Sequence, residues 1–100
     1  VPVSKNPVGS RKRQRQERAA ARQSEQDLRQ SIKQLERDIE QGTEKLKSLE
    51  ATLADQDTYA QMPADDLNVL LAEAAALRKK IETLEDAWLS VSSKLEAELS

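Results

Sequence analysis

The chain has 100 residues and a net charge of −2, with 34% charged and 2% aromatic residues. This length fits one small domain, and the excess of Ala, Glu, Lys, Leu, Arg and Gln is typical of long helices rather than of a compact α/β core. The absence of cysteine and histidine excludes disulfides, thiolate metal sites and the commonest general base.

No apolar run approaches the roughly 20 residues that span a bilayer. No signal peptide is visible and the sequence does not begin with Met, so we expect a fragment of a longer, cytoplasmic protein. The charge is uneven, because residues 1–37 carry a net +6 and residues 38–100 a net −8. An anionic partner is therefore expected near the basic first third.

The first ten residues contain two prolines and a glycine and no apolar periodicity, which predicts a flexible linker over residues 1–10. The hydroxyl of Ser10 suits an N-cap. The first helix is then predicted to run from about Arg11 to Ala54. Its apolar seam is spaced alternately four and three residues apart, as in a coiled coil, and comprises Leu28, Ile32, Leu35, Ile39, Gly42, Leu46, Leu49 and Leu53.

The segment 55–62 is rich in Asp and Thr and is predicted to form turns at the tip of a hairpin. Pro63 suits the first position of the second helix, predicted over 63–99, with Asp65 and Asp66 in its first turn complementing the helix dipole. This helix carries a matching seam of Leu67, Leu70, Ala74, Leu77, Ile81, Leu84, Trp88, Val91 and Leu95. The predicted fold is all-α, a two-helix antiparallel coiled-coil hairpin.

In an antiparallel pair, the numbers of opposing seam residues add to a constant, and both 116 and 123 fit the two seams. The sum 123 places Lys45 opposite Lys80 and sets Glu36 against Glu85, and both pairs are repulsive. The sum 116 is therefore predicted, because it gives four complementary pairs: Asp38–Lys80, Lys45–Glu73, Glu36–Arg78 and Arg29–Glu85.

The predicted register places Gly42 opposite Ala74, a layer of two small residues. It also places Trp88 against Leu28, so the tryptophan is predicted to pack in the core rather than stack on a base. Tyr59, in the tip, is expected to pack over the end of the seam near Leu67. With two aromatic residues in the chain, a stacking platform for single strands is not supported.

Basic residues at the start of the first helix are the strongest candidates for a binding site. Arg11, Arg15, Arg18 and Arg22 are spaced to share one face, and the predicted register leaves residues 11–15 beyond the end of the second helix. Dense arginines favour phosphate partners, so the predicted nucleic-acid-binding residues are Arg11, Lys12, Arg13, Arg15, Arg18 and Arg22, extended by Lys33 and Arg37. The alternative interpretation is that these basic residues form an ordinary solvated helix start or contact an acidic protein.

The sequence contains no motif for metal binding or catalysis. The tip carboxylates Asp55, Asp57, Asp65 and Asp66 are explained by turns and capping, and their spacing does not match a calcium loop. No phosphate-binding glycine loop and no nucleophile–histidine pair is present. The chain is therefore predicted to be no enzyme, with no catalytic, metal or cofactor site of its own.

Three segments resemble the C-terminal domain of the ABC-F, Uup-like ATP-binding cassette ATPases: 28–36 (Leu-Arg-Gln-Ser-Ile-Lys-Gln-Leu-Glu), 53–59 (Leu-Ala-Asp-Gln-Asp-Thr-Tyr) with Pro63, and 84–89 (Leu-Glu-Asp-Ala-Trp-Leu). The resemblance covers most of residues 11–99. It implies a soluble, ribosome-associated or DNA-binding ATPase, whose ATP and Mg²⁺ are held by cassettes upstream.

The leading hypothesis is therefore a domain that binds DNA or ribosomal RNA, as a monomeric hairpin without a membrane partner. Two alternatives stay open: a protein-interaction or dimerisation coiled coil, and a tRNA-binding arm like that of valyl-tRNA synthetases, which has a similar tip.

Overall fold

The structure is a computed structural model that describes residues 7–100, with side chains from residue 10 onward. It contains three helices, α1 (Pro7–Ala54), α2 (Gln56–Gln61) and α3 (Ala64–Leu99). Residues 7–100 contain no strand, which confirms the all-α prediction. None of the described helices combines the length and the apolar character needed to cross a membrane.

The first helix begins earlier than predicted. It starts at Pro7, so residues 7–10 are helical and Ser10 lies inside α1 instead of capping it. Proline is favoured in the first turn of a helix, because its missing N–H would have no intrahelical partner there. Residues 1–6, the rest of the predicted linker, lie outside the described residues.

The tip contains a short helix, α2, where turns alone were predicted. Asp55 caps it, since its Oδ1 accepts hydrogen bonds from the backbone N–H groups of Asp57 (3.0 Å) and Thr58 (3.3 Å). The predicted capping role of this residue is confirmed. Pro63 is the N-cap of α3 rather than its first residue, with extended backbone angles, and Asp65 lies in the first turn as predicted.

The contacts between α1 and α3 are those of a helical hairpin. Ser24 donates from its hydroxyl to Glu98 at 2.7 Å, and Arg78 donates to Glu50 at 3.2 Å. The residue numbers rise along α1 as they fall along α3, so the two helices are antiparallel. The molecule measures 90 × 17 × 16 Å, which leaves room for two helices side by side and no third layer.

Both predicted seams face inward. Every residue in the two seams is half-buried or buried, and Ala74, 1% exposed, is the most enclosed apolar residue described. The core is therefore a single line of contacts with solvent on both sides. Such a thin core gives a domain of modest stability.

The register differs from the predicted one. A Cβ placed on Gly42 would lie 3.1 Å from Cγ1 of Ile81, so these two residues form one layer. Their numbers add to 123, and the predicted sum of 116 is wrong. The resulting layers are Leu28–Leu95, Ile32–Val91, Leu35–Trp88, Ile39–Leu84, Gly42–Ile81, Leu46–Leu77, Leu49–Ala74 and Leu53–Leu70.

Apolar overlap explains this choice. The sum 116 would set Val91 against Glu25 and Leu95 against the small Ala21, whereas 123 sets Val91 against Ile32 and Leu95 against Leu28. Burying an aliphatic side chain is worth about 1.5–3 kcal/mol, whereas an exposed ion pair contributes about 0.2–1 kcal/mol. The exposed charge pairs therefore indicate the wrong register, because apolar burial outweighs them.

The like charges that this register opposes are accommodated by their neighbours. Lys45 and Lys80 line one groove together with Asp38, and an adjoining groove together with Glu73. The two carboxylates thus flank the two ammonium groups along the hairpin. None of the four predicted pairs lies within ion-pair distance among residues 10–100, where Arg29–Glu25 (2.9 Å) and Arg78–Glu50 (3.2 Å) are the pairs formed.

Paired cysteines will test the register, since the chain has none of its own. We expect the double variant Gly42→Cys, Ile81→Cys to form an internal disulfide on oxidation, because the two positions share a layer. The control pair Gly42→Cys, Ala74→Cys will stay reduced, since a seven-residue shift separates the two positions by roughly 10 Å along the helices. Mass spectrometry after alkylation distinguishes the two, and cross-linking of the control pair alone would restore the sum of 116.

Leu35→Ala is expected to lower the free energy of unfolding by about 2 kcal/mol, the low end for a buried leucine because Leu35 is only half-buried. Leu89→Ala is the matched control, since Leu89 is 58% exposed and lies off the seam. Its expected cost is below about 0.5 kcal/mol. Urea titrations followed by circular dichroism measure both, and equal costs would contradict the seam.

Candidate nucleic-acid interface

All eight predicted binding residues lie on α1, and all are exposed to solvent. The structure divides them into two groups by what lies beside them. Six belong to the first turns of α1, where no second helix runs alongside: Arg11, Lys12, Arg13, Arg15, Arg18 and Arg22. The other two, Lys33 and Arg37, lie where α1 is paired with α3.

The register fixes how far α1 extends beyond its partner. The Ser24–Glu98 hydrogen bond lies at the last turn of α3, which ends at Leu99. Residues of α1 before about 23 therefore continue as a single helix. We call residues 10–22 the basic arm. The predicted register had brought the second helix level with Gln16, so the observed one exposes seven more residues.

Four arginines form a continuous row along the basic arm. Arg11, Arg15, Arg18 and Arg22 follow one another at spacings of four, three and four, and at about 100° per residue they share one face. Arg11 and Arg18 continue the seven-residue spacing of Ile32, so they occupy seam positions, whereas Arg15 and Arg22 lie beside the seam in line with Arg29. The row therefore runs along the edge of the face that α1 turns toward α3 in the hairpin. The row spans roughly 16 Å along the helix axis.

The two remaining cations of the basic arm lie on other sides of it. Lys12 lies on the flank of the row, and together with Arg15, Gln16 and Ala19 it lines a shallow depression. Arg13 lies about 200° round the helix from Arg11, on the opposite side. The arm is therefore cationic on most of its circumference, with its greatest density along the row.

The charges of the basic arm are not neutralised within the molecule. Among side chains of residues 10–100, the two ion pairs are Arg29–Glu25 and Arg78–Glu50, and neither includes a residue of the arm. Glu17 is the single acidic residue that the arm contains. Like charges three and four residues apart destabilise a helix. An external anion would therefore stabilise the arm as well as bind to it.

Arg29 lies in the hairpin, and unlike the arginines of the basic arm it is paired with a carboxylate. It continues the seven-residue spacing of Arg15 and Arg22, but its guanidinium donates two hydrogen bonds to Oε1 of Glu25, at 2.9 and 3.1 Å. The sequence had paired Arg29 with Glu85 across the hairpin. The local i,i+4 spacing to Glu25 was the signal for the pair that forms.

Lys33 and Arg37 are not brought to the basic arm. Lys33 lies roughly 16 Å along the helix from Arg22. It lines a groove with Arg29 and Glu36, over Ile32 and Leu95. The groove's mixed charges resemble an ordinary solvated face more than a phosphate track.

The aromatic residues lie away from the basic arm. Trp88 is half-buried in the seam, as predicted, although in the layer of Leu35 instead of Leu28, and its Nε1–H donates to Glu36 at 3.4 Å. Tyr59 lies on α2 and is 47% exposed, so it is less covered than a residue packed over the end of the seam. Among the described residues, no cluster of three or more carboxylates could hold a metal ion.

A family model described as the ABC transporter C-terminal domain matches residues 22–93. The chain belongs to this family. The match confirms the resemblance noted in the sequence and is consistent with a C-terminal domain of an ABC-F-like protein. Comparisons with curated proteins and with solved structures give no match.

The match covers the paired part of this ABC-protein domain and stops short of most of the basic arm. It begins at Arg22 and ends at Ser93, so the other five cations of the arm precede it. Membership of the family therefore accounts for the hairpin.

Proposed function

We propose that this chain is the nucleic-acid-binding C-terminal domain of an ABC-F ATPase, and that its basic arm binds the phosphate backbone of DNA or ribosomal RNA. The observation that carries the proposal is the row of four arginines on the unpaired end of α1, without a carboxylate at ion-pair distance. The planar guanidinium matches a phosphate group with two parallel hydrogen bonds, so a row of four suits successive phosphates.

Recognition by the basic arm is proposed to be of backbone and shape. Residues 10–22 contain no aromatic side chain, and the chain's one tryptophan lies in the seam. Phosphate contacts position a protein on a nucleic acid without reading its sequence. Binding is therefore expected to be largely independent of base sequence and steeply dependent on salt.

The hairpin also separates opposite charges. The tip carries Asp55, Asp57, Asp65 and Asp66, all exposed, at the far end of the 90 Å molecule from the basic arm. A phosphate backbone is thus attracted to one end and repelled from the other. We propose that the hairpin places the arm next to cassettes that bind ATP and Mg²⁺ elsewhere in the protein, while this chain itself carries no catalytic step.

Fluorescence anisotropy of labelled duplex DNA and of a ribosomal RNA fragment, at several salt concentrations, tests the proposal. The arm variant Arg11→Gln, Arg15→Gln, Arg18→Gln removes three charges of the row while keeping good helix formers. The control variant Lys45→Gln, Lys80→Gln, Lys94→Gln removes the same number of exposed charges from the hairpin.

The arm variant is expected to lose at least about tenfold in affinity, with a salt slope shallower by roughly two to three, since each neutralised phosphate contributes about 0.9 for B-DNA. The control variant should keep the slope of the native chain. Equal losses of affinity in both variants would show that binding depends only on net charge, which would refute the proposal. Unchanged affinity of the arm variant would also refute it. The ranking of the two ligands separates DNA from RNA.

Glu25→Gln is expected to strengthen binding about two- to fivefold, because it removes a carboxylate next to the basic arm and frees the Arg29 guanidinium that this carboxylate holds. Glu96→Gln is the control, since it makes the same charge change on the outer side of α3. The same anisotropy titration measures both. Weaker binding by Glu25→Gln would show that Arg29 is unable to join the row.

A further inference from the structure

A second row of side chains runs along α3 on the side away from the seam. Asp65, Val69, Ala72, Ala76 and Lys79 follow one another at spacings of four and three, so they share one face of the helix. We call these five residues the outer stripe. All five are exposed, and Val69 is 56% exposed.

Residues 67–77 of α3 carry apolar side chains both on the side that packs against α1 and on the opposite side. Residues 67–77 contain a single charged residue, Glu73, although the covered residues of this stretch, Leu67, Leu70, Ala74 and Leu77, share one side of the helix. Leu71, beside the outer stripe, is 44% exposed. A row of apolar side chains left open to solvent commonly marks an interaction surface, so the uncovered side of this segment points to a partner.

We propose that the outer stripe is an interface between two copies of this chain, with α3 packed antiparallel on α3 about a two-fold axis at Ala72. The ends of the stripe carry opposite charges, Asp65 and Lys79, each seven residues from the centre. A two-fold axis at the centre brings each Asp65 onto the second copy's Lys79. A parallel arrangement would instead place like charges together.

The side chains between the two charges suit close packing. The axis places Ala72 against its own copy and Val69 next to the second copy's Ala75 and Ala76. Small residues at a crossing let two helices approach to the short end of the usual 8–10 Å range. Val69, 56% exposed in the single chain, is covered in this arrangement. Such self-complementarity is what a two-fold interface requires.

The interface is short, so the association is expected to be weak and reversible. From Asp65 to Lys79 the stripe spans roughly 21 Å. Interfaces that bury less than about 1,200 Å² in total are characteristic of transient complexes. The expectation of a monomeric hairpin then holds in dilute solution, and the paired form appears as the concentration rises.

Pairing through the outer stripe leaves both basic arms free. In the observed register, Arg15 lies roughly 54 Å from Ala72, measured along the axis of α3 in the direction of its C-terminus. The two arms therefore lie at opposite ends of the pair, roughly 110 Å apart. Two linked sites bind an extended nucleic acid more tightly than one site, although the pairing itself does not depend on nucleic-acid binding.

Sedimentation equilibrium over about a hundredfold range of concentration tests the pairing in the absence of nucleic acid. The mass of the native chain is expected to rise toward that of two copies. Ala72→Glu places a carboxylate against its own copy and should hold the mass at one copy. Ala51→Glu makes the same change at an exposed alanine of α1 and should leave the association intact. A native mass of one copy throughout, or association that survives Ala72→Glu, would overturn the proposal.

Charge reversal tests the antiparallel arrangement itself. Asp65→Lys and Lys79→Asp should each weaken the association, and the two together should restore it, because each reversed residue then meets its opposite in the second copy. A double variant as weak as the single ones would refute the two-fold axis. Circular dichroism confirms that each variant remains helical, since Asp65 also complements the dipole of α3.

A cysteine at the axis gives a measurement independent of mass. Ala72→Cys should form a disulfide between two copies on mild oxidation, and faster than Ala51→Cys does. The chain contains no other cysteine to compete. Equal rates for the two variants would contradict the outer stripe as the interface.

Discussion

The apolar contact between α1 and α3 determines the position of every other feature of this hairpin. Only one line of side chains holds the two helices together, so sliding the helices by one heptad exchanges every layer at once. Gly42 against Ile81 and Ala74 against Leu49 combine small residues with large ones, and every residue of the α1 seam then meets a seam residue of α3. The length of the free end of α1 follows directly from this overlap.

That free end gives the molecule its electrostatic character. Where α3 ends, arginines occupy positions on and beside the inward face of α1, and Glu17 is the one acidic residue within the basic arm. Along the hairpin, by contrast, carboxylates stand close to the cations: Glu25 holds Arg29, Glu50 holds Arg78, and Asp38 and Glu73 flank the two lysines of the central grooves. The same register that opposes like charges in the hairpin thus extends the unpaired basic arm.

The domain has separable surfaces. The hairpin corresponds to the ABC transporter C-terminal domain, whereas most of the basic arm precedes the matched residues. The acidic tip and the outer stripe of α3 lie toward the other end of the molecule. The proposed phosphate-binding end and the proposed self-associating side occupy different parts of one rod and share no residue.

The sequence by itself determined the two long helices, the two seams and the position of the basic residues at the start of α1, because heptad spacing is a local property. It did not determine the start of α1 at Pro7 or the short helix α2, where weak local preferences compete. Only the tertiary structure decided the register and hence the length of the basic arm. Two alignments satisfied the same heptad pattern, and the choice between them rests on the summed burial of both helices, which appears only when α1 and α3 are packed together.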